Sequence, residues 1–236
     1  MNFRIMKGIM KSDRLVYIFG TCLLVGALAM VAPTKLTAQT LLSQEYKEPE
    51  KPEFKNKVSG AALVRALRQG GHIIYFRHGS TEIDYPDQIV AKMGYCHSQR
   101  MLSEKGWQQA RKIGMSFQSL QIPVDKVYSS EYCRAWQTAD LAFGRYQKDA
   151  RLNFLPKAEY EEADTLQMRK AVMPLLTAIP AQGKNNIIVG HDDIFEAATG
   201  IYPEPQGVAF VLTPNGRGGF ELVAKVLPDE WNQLLP

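Results

Sequence analysis

The chain is poor in the residues that most metal and cofactor chemistries need. It holds four histidines and three cysteines in 236 residues, and none of them forms an H-E-x-x-H pair or a Cys-x-x-Cys set. A Gly-rich turn of the dinucleotide-binding or P-loop kind is also missing. No metal ion and no cofactor is therefore expected. Repeats and low-complexity tracts are absent as well. With 45% apolar and 22% charged residues, the composition is that of a globular protein of a size for one α/β domain.

Excess charge is lacking once the N-terminus is set aside. Arg4, Lys7, Lys11 and Arg14 precede an uncharged apolar run over 15–32 that Pro33 closes. Basic residues ahead of such a run mark a targeting segment. Ala38, after Leu36 and Thr37, suits cleavage of a secretory signal, whereas the length of the run also suits an uncleaved membrane anchor. Both readings keep the basic flank in the cytoplasm and deliver the chain after Ala38 across the membrane, to the periplasm or beyond. Residues 1–38 carry five basic residues and one acidic residue, which leaves 23 of each sign in the remainder. The net charge of +4 belongs to the leader, so nucleic acid is not an expected partner.

Of the three cysteines only Cys96 and Cys133 lie in the exported part. An even pair in an oxidising compartment can form a disulfide; two buried thiols, or a zinc site shared with His97, are the alternatives.

Residues 39–57 are polar and rich in Lys, Glu and Pro, which reads as a flexible linker. A single domain is expected over 58–236. Ser59 is a plausible cap for a helix with Ala62, Leu63, Ala66 and Leu67 on one face, ended by Gly70-Gly71. The apolar stretch over 72–76 reads as a parallel strand covered on both faces, which puts Arg77-His78-Gly79 at its carboxyl end. A loop over 80–101 follows. Ser103 then caps a helix with an apolar face of Trp107, Ala110, Ile113, Phe117 and Leu120.

A strand over 126–128 runs into Ser129-Ser130, and a helix over 131–143 carries Arg134 in its first turn. After a helix over 164–176, a third buried strand over 186–189 ends in Gly190-His191-Asp192-Asp193. Segments 208–212 and 220–226 form a hairpin around Asn215-Gly216. This alternation predicts a three-layer α/β/α sandwich, a doubly wound, mostly parallel sheet with an antiparallel edge hairpin. The ligand crevice of such a sheet lies at the carboxyl ends of its strands, where these polar residues collect.

Taken singly, Arg77 is a surface arginine, His78 a structural histidine, Ser129-Ser130 a helix cap and His191 one member of a charged cluster. Taken together, three motifs resemble the histidine phosphatase superfamily, with its phosphoglycerate mutase-like fold. They are Arg77-His78-Gly79, then Ser129-Ser130 with Arg134-Ala135 and Gln137-Thr138-Ala139, and last Gly190-His191. The resemblance spans residues 58–230. It implies a phosphomonoester hydrolase in which His78 attacks phosphorus while Arg77, Arg134 and His191 hold the phosphoryl group. The tract from Cys96 through Gln99-Arg100, Leu102-Ser103 and Gly106 resembles a subgroup of small bacterial members, some of which act on phosphorylated sugars of the cell envelope.

The residue types fit that chemistry. Charge on three non-bridging oxygens calls for guanidinium forks, which stay charged and donate paired hydrogen bonds. A helix first turn adds free N–H groups beside Arg134. A neutral imidazole can take the phosphoryl group and divide the hydrolysis into two displacements. The leaving alkoxide needs a proton. One branch of the superfamily uses an Asp directly after the second histidine, which Asp192 matches. The other uses a Glu, for which Glu159, Glu161 and Glu162 are in the right interval; Glu82 is a further candidate and an expected substrate contact. A phosphomutase and a catalytically silent phosphate- or phosphosugar-binding protein are the rival readings. The expected partner is a small phosphoester, with the membrane involved only through an uncleaved anchor.

Overall fold

The computed structural model describes residues 54–82 and 91–234. The expected leader or anchor, most of the expected linker and residues 83–90 of the loop lie outside these described residues. Among the described residues no helix is long and apolar enough to cross a membrane.

Helix α1 (Gly60–Gln69) starts after Ser59 in extended conformation and ends at Gly70, whose φ of 78° closes its N–H onto the carbonyls of Ala66 and Leu67. That left-handed position is one only glycine adopts without strain. The helix buries Leu63, Val64 and Leu67, while Ala62, expected inside, is exposed. A single methyl gains little from burial, and the stripe turns instead toward the larger Val64.

Strand β1 (Ile73–Arg77) is buried along its whole length. Its side chains alternate between two apolar clusters, as the period of two requires. Ile74 and Phe76 meet α1, the helix α2 (Glu104–Ser119) and the helix α3 (Cys133–Phe143). Ile73 and Tyr75 meet α4 (Glu162–Leu176) and α5 (Asp192–Thr199) on the other face. This produces the expected three layers.

Strands β2 (Val124–Ser129), the two-residue β3 (Gln147–Lys148), β4 (Asn185–Gly190), β5 (Ala209–Pro214) and β6 (Phe220–Val226) complete one sheet in the order β3-β2-β4-β1-β5-β6. Pairings from β3 to β1 are parallel, and β5 and β6 run antiparallel as the edge hairpin. Register then aligns the chemistry. Arg77 pairs with Gly190 and Ser129 with Val189, so the carboxyl ends of β1, β2 and β4 lie side by side.

Ser103 Oγ accepts from Gly106 N at 3.2 Å and starts α2 as expected. Ala110, Ile113, Phe117 and Leu120 are buried, but Trp107 is 45% exposed and corrects the expected face. The cause is the neighbouring glycine. A Cβ on Gly106 would collide with the carbonyl of Ser80, so this turn presses its bare backbone against the strand-end loop. Trp107, about 100° further round the helix, is carried outward.

The first described residues already pack on the sheet. Phe54 packs edge-on against Phe210, the N–H of Lys57 donates to Val223 O at 2.9 Å, and Asn56 exchanges hydrogen bonds with the backbone of Lys225. Residues 54–57, the last of the expected linker, therefore lie along β6. At the other end Trp231 packs its ring on Phe76 and Phe117.

Candidate active site

Two arginines and two histidines meet at the aligned strand ends. Arg77 is the last residue of β1, and His78 follows it. Arg134 occupies the first turn of α3, just beyond β2, and His191 links β4 to α5. All four are nearly inaccessible, with His191 1% and His78 3% exposed. Their rings and guanidinium groups adjoin: the two imidazoles lie 5.4 Å apart, and Arg134 Nε donates to His78 Nε2 at 3.2 Å. Placing so many basic groups together without solvent is costly unless they serve an anion.

The tautomer of His78 follows from its partners. Nδ1 lies 2.8 Å from the carbonyl of Gly79, which can only accept, so Nδ1 carries the hydrogen. Nε2 is then a lone pair, consistent with its bond from Arg134. Burial and the Arg134 guanidinium push His78 down to about 3, so its imidazole is neutral across the physiological range. His191 is likewise held well below its ordinary value by burial and by Arg134. Its Nδ1, and Nε of Arg77, are buried without a hydrogen-bond partner in the protein. Unpaired buried polar atoms are rare in folded chains and point to a bound group that satisfies them.

Arg77 Nη1 donates to Pro203 O at 3.0 Å, and Nη2 meets Asp192 Oδ2 at 2.6 Å. Tyr202 donates to the same carboxylate oxygen at 2.6 Å, and the Arg77 guanidinium lies 5.2 Å from the centre of the Tyr202 ring. Burial favours the neutral form of Asp192, but the Tyr202 hydroxyl and Arg77 outweigh it and keep the carboxyl below its usual range. Asp193 behaves oppositely: burial and the adjacent Asp192 push it up to about 6.

The described residues at both ends of the segment between β1 and α2 are tied to α2 and α3. The N–H of Gly79 donates to Thr138 Oγ1 on α3, and that of Ser80 to Gln109 Oε1 on α2. Cys96 and Cys133 are joined in a disulfide, the first of the three arrangements expected for them. Gln99, fully buried, accepts from the N–H of Cys133 at 2.7 Å. Two attachments thus bind residues 96–99 to the residue before Arg134.

Glu82 is exposed and lines a cavity of about 520 Å³ with Trp107 and Arg111. A different cavity, of about 560 Å³, is lined by Arg77 itself with Ser80, Glu204, Pro205 and Gln206. Glu159, Glu161 and Glu162 are exposed ahead of and at the start of α4, where the N–H of Glu161 donates to Asp164. Among the described residues no group of three or more His, Cys, Asp or Glu side chains could hold a metal ion. Sequence reading missed Tyr202, Asn153 and Phe154. Tyr202 follows the Gly200 that ends α5, and only its closeness to Asp192 in sequence hinted at a shared site.

Residues 73–169, which include Arg77-His78-Gly79 and Arg134, match the model of the family described as "Histidine phosphatase superfamily (branch 1)". No curated protein matches the chain in sequence. Similar solved structures include the protein histidine phosphatase SixA complexed with tungstate, at 13% identity over 67% of this chain and 98% of that one, with a TM-score of 0.47. A mycobacterial glucosyl-3-phosphoglycerate phosphatase complexed with VO3 is 15% identical over 65% of this chain and 97% of that one, with a TM-score of 0.49. A phosphoglycerate mutase from Thermus thermophilus is 18% identical over 66% of this chain and 98% of that one, with a TM-score of 0.45. The family match runs from the start of β1 into α4 and takes in the first two of the three motifs.

Proposed function

We propose that the protein hydrolyses small phosphomonoesters through a phosphohistidine on His78. One observation carries this reading: a neutral, buried imidazole presents its Nε2 lone pair to the Arg134 guanidinium, with the Arg77 charge near enough to add to its low basicity. In the first step Nε2 attacks phosphorus as Arg134 Nε transfers its hydrogen bond from Nε2 to a phosphoryl oxygen. The bond from phosphorus to the ester oxygen breaks, and the leaving alkoxide takes a proton. Water then attacks the phosphohistidine and gives its proton to the carboxylate left on Asp192, the bond from phosphorus to Nε2 breaks, and phosphate and free His78 are released. Arg77 holds the other oxygens with its unpaired Nε, and the bare Nδ1 of His191 accepts the hydrogen of a singly protonated phosphoryl group.

Asp192 is the proposed proton donor, armed by the substrate. A phosphoryl group that draws Arg77 away removes the cation next to Asp192 and brings negative charge near it. Both changes favour the protonated carboxyl. The cavity lined by Arg77, Ser80 and Gln206 offers space for the leaving group. Glu82 would touch a substrate that enters the cavity beside Trp107, as a phosphorylated sugar could.

The disulfide suits an oxidising compartment and, with the N-terminal apolar run, supports action outside the cytoplasmic membrane, whether the leader is cleaved or kept as an anchor. The test is turnover of an aryl phosphate, with loss of activity in His78→Ala and no change after prolonged chelation. Phosphate binding without turnover by the unaltered protein would instead favour a silent binding protein.

A further inference from the structure

We propose that Asn153, acting through Ser130, determines which ring nitrogen of His191 carries the hydrogen, and so is a positioning residue for the phosphoryl site. The functional part of this proposal rests on the reading of His191 as a phosphoryl contact; the proton assignment does not.

The assignment starts from a backbone group with only one role. The N–H of Glu131 donates to Asn153 Oδ1 at 3.0 Å, and Asn153 Nδ2 donates in turn to Glu131 Oε2 at 2.7 Å. Together they fix the amide orientation, with its oxygen toward Ser130. An amide oxygen only accepts. Ser130 Oγ, 2.8 Å from Oδ1, must therefore give it the one hydrogen a hydroxyl has. The N–H of Tyr132 points at the same Oγ from 3.2 Å. Only a lone pair of Ser130 is left for His191 Nε2, 2.9 Å away. Hence Nε2 carries the hydrogen, and Nδ1 is the bare nitrogen without a partner in the protein.

The same segment also holds the ring in place. Phe154, next to Asn153, meets the His191 ring edge-on at 4.8 Å, and Tyr132 does so at 5.1 Å. These two aromatic rings stack on each other at 4.4 Å. The carbonyl of His191 accepts from the Tyr75 hydroxyl at 2.7 Å, which fixes the backbone on the opposite side. With orientation fixed by packing, the remaining freedom of His191 is the position of its hydrogen, and that is set two bonds away at Asn153.

The test is nitrogen-15 NMR of the imidazoles in the full chain, which has four histidines. His191 is assigned by the signals lost in His191→Gln. The expected result at neutral pH is a protonated Nε2 and an unprotonated Nδ1. Asn153→Ala frees the hydroxyl hydrogen of Ser130, so the Nδ1-protonated form should appear and kcat/KM for an aryl phosphate should fall about tenfold, as for other partners that orient a functional histidine. Asn153→Asp keeps an acceptor for Ser130 and should restore the Nε2-protonated form. A wild-type His191 with hydrogen on Nδ1, or an unchanged tautomer in Asn153→Ala, overturns the proposal. The wild-type spectrum decides the assignment even if the alanine variant does not fold. The predicted tautomers in a protein that turns over no phosphoester would reject the proposed function alone.

Discussion

Nη2 of Arg77 and the Tyr202 hydroxyl both donate to a single oxygen of Asp192, each at 2.6 Å. The last residue of β1 is thereby tied to the first residue of α5, and the carboxyl proposed to deliver a proton is ionised while that pairing lasts. This arrangement makes the leaving group a probe of the role of Asp192. Asp192→Asn should slow an alkyl phosphate by about 10²-fold or more, the scale of general acid catalysis, and an activated aryl phosphate much less. Equal losses on both would mean that Asp192 serves only to hold Arg77.

The depressed value of His78 gives two pH predictions. Since the folded-state value is about 3 against an ordinary 6.5, the kcat/KM profile should show no fall near 6.5 from protonation of the nucleophile. Stability should behave differently. Below 6.5 the unfolded chain binds a proton that the folded chain does not, so the contribution of His78 is present above 6.5 and is lost as pH falls from 6.5 toward 3. The slope is at most about 1.4 kcal/mol per pH unit for one such histidine, and His191 acts in the same direction. Urea unfolding at pH 7 and pH 5 measures it, and His78→Gln should flatten the dependence.

The Cys96–Cys133 bond closes a loop with a sequence separation of 37, which in the chain-entropy model stabilises the fold by about 4 kcal/mol less any strain. Replacing both cysteines by serine should lower Tm accordingly. Because Cys133 adjoins Arg134, the same change should raise KM for the phosphoester. Thiol counting on denatured protein from its native compartment should find neither Cys96 nor Cys133 free.

The sheet, and the strand and helix ends that bring four candidate site residues together, were legible because each signal is local. Continuous apolar runs mark β1 and β4 as buried strands, and Arg77, His78 and His191 stand at or beside their ends in the sequence. Arg134 is marked by its place in a helix first turn. What escaped was set by contacts between distant segments. Trp107 fits the apolar stripe of α2 by spacing, yet the close approach of Gly106 to Ser80 turns it outward. Asn153 lies beyond β3, a two-residue strand with no apolar pattern, and reaches Ser130 only after β3 pairs with β2. The ion pair that ionises Asp192 depends on where the loop after α5 carries Tyr202 and Pro203, a path that turn composition does not specify.

Trapping the intermediate tests the central claim most directly. Wild-type protein turning over a substrate labelled at phosphorus is quenched with denaturant and mapped by peptide. The account predicts label on the peptide that contains His78, stable to base and labile to acid, and none in His78→Ala. Label on another residue, or turnover that survives intact in His78→Ala, would contradict it.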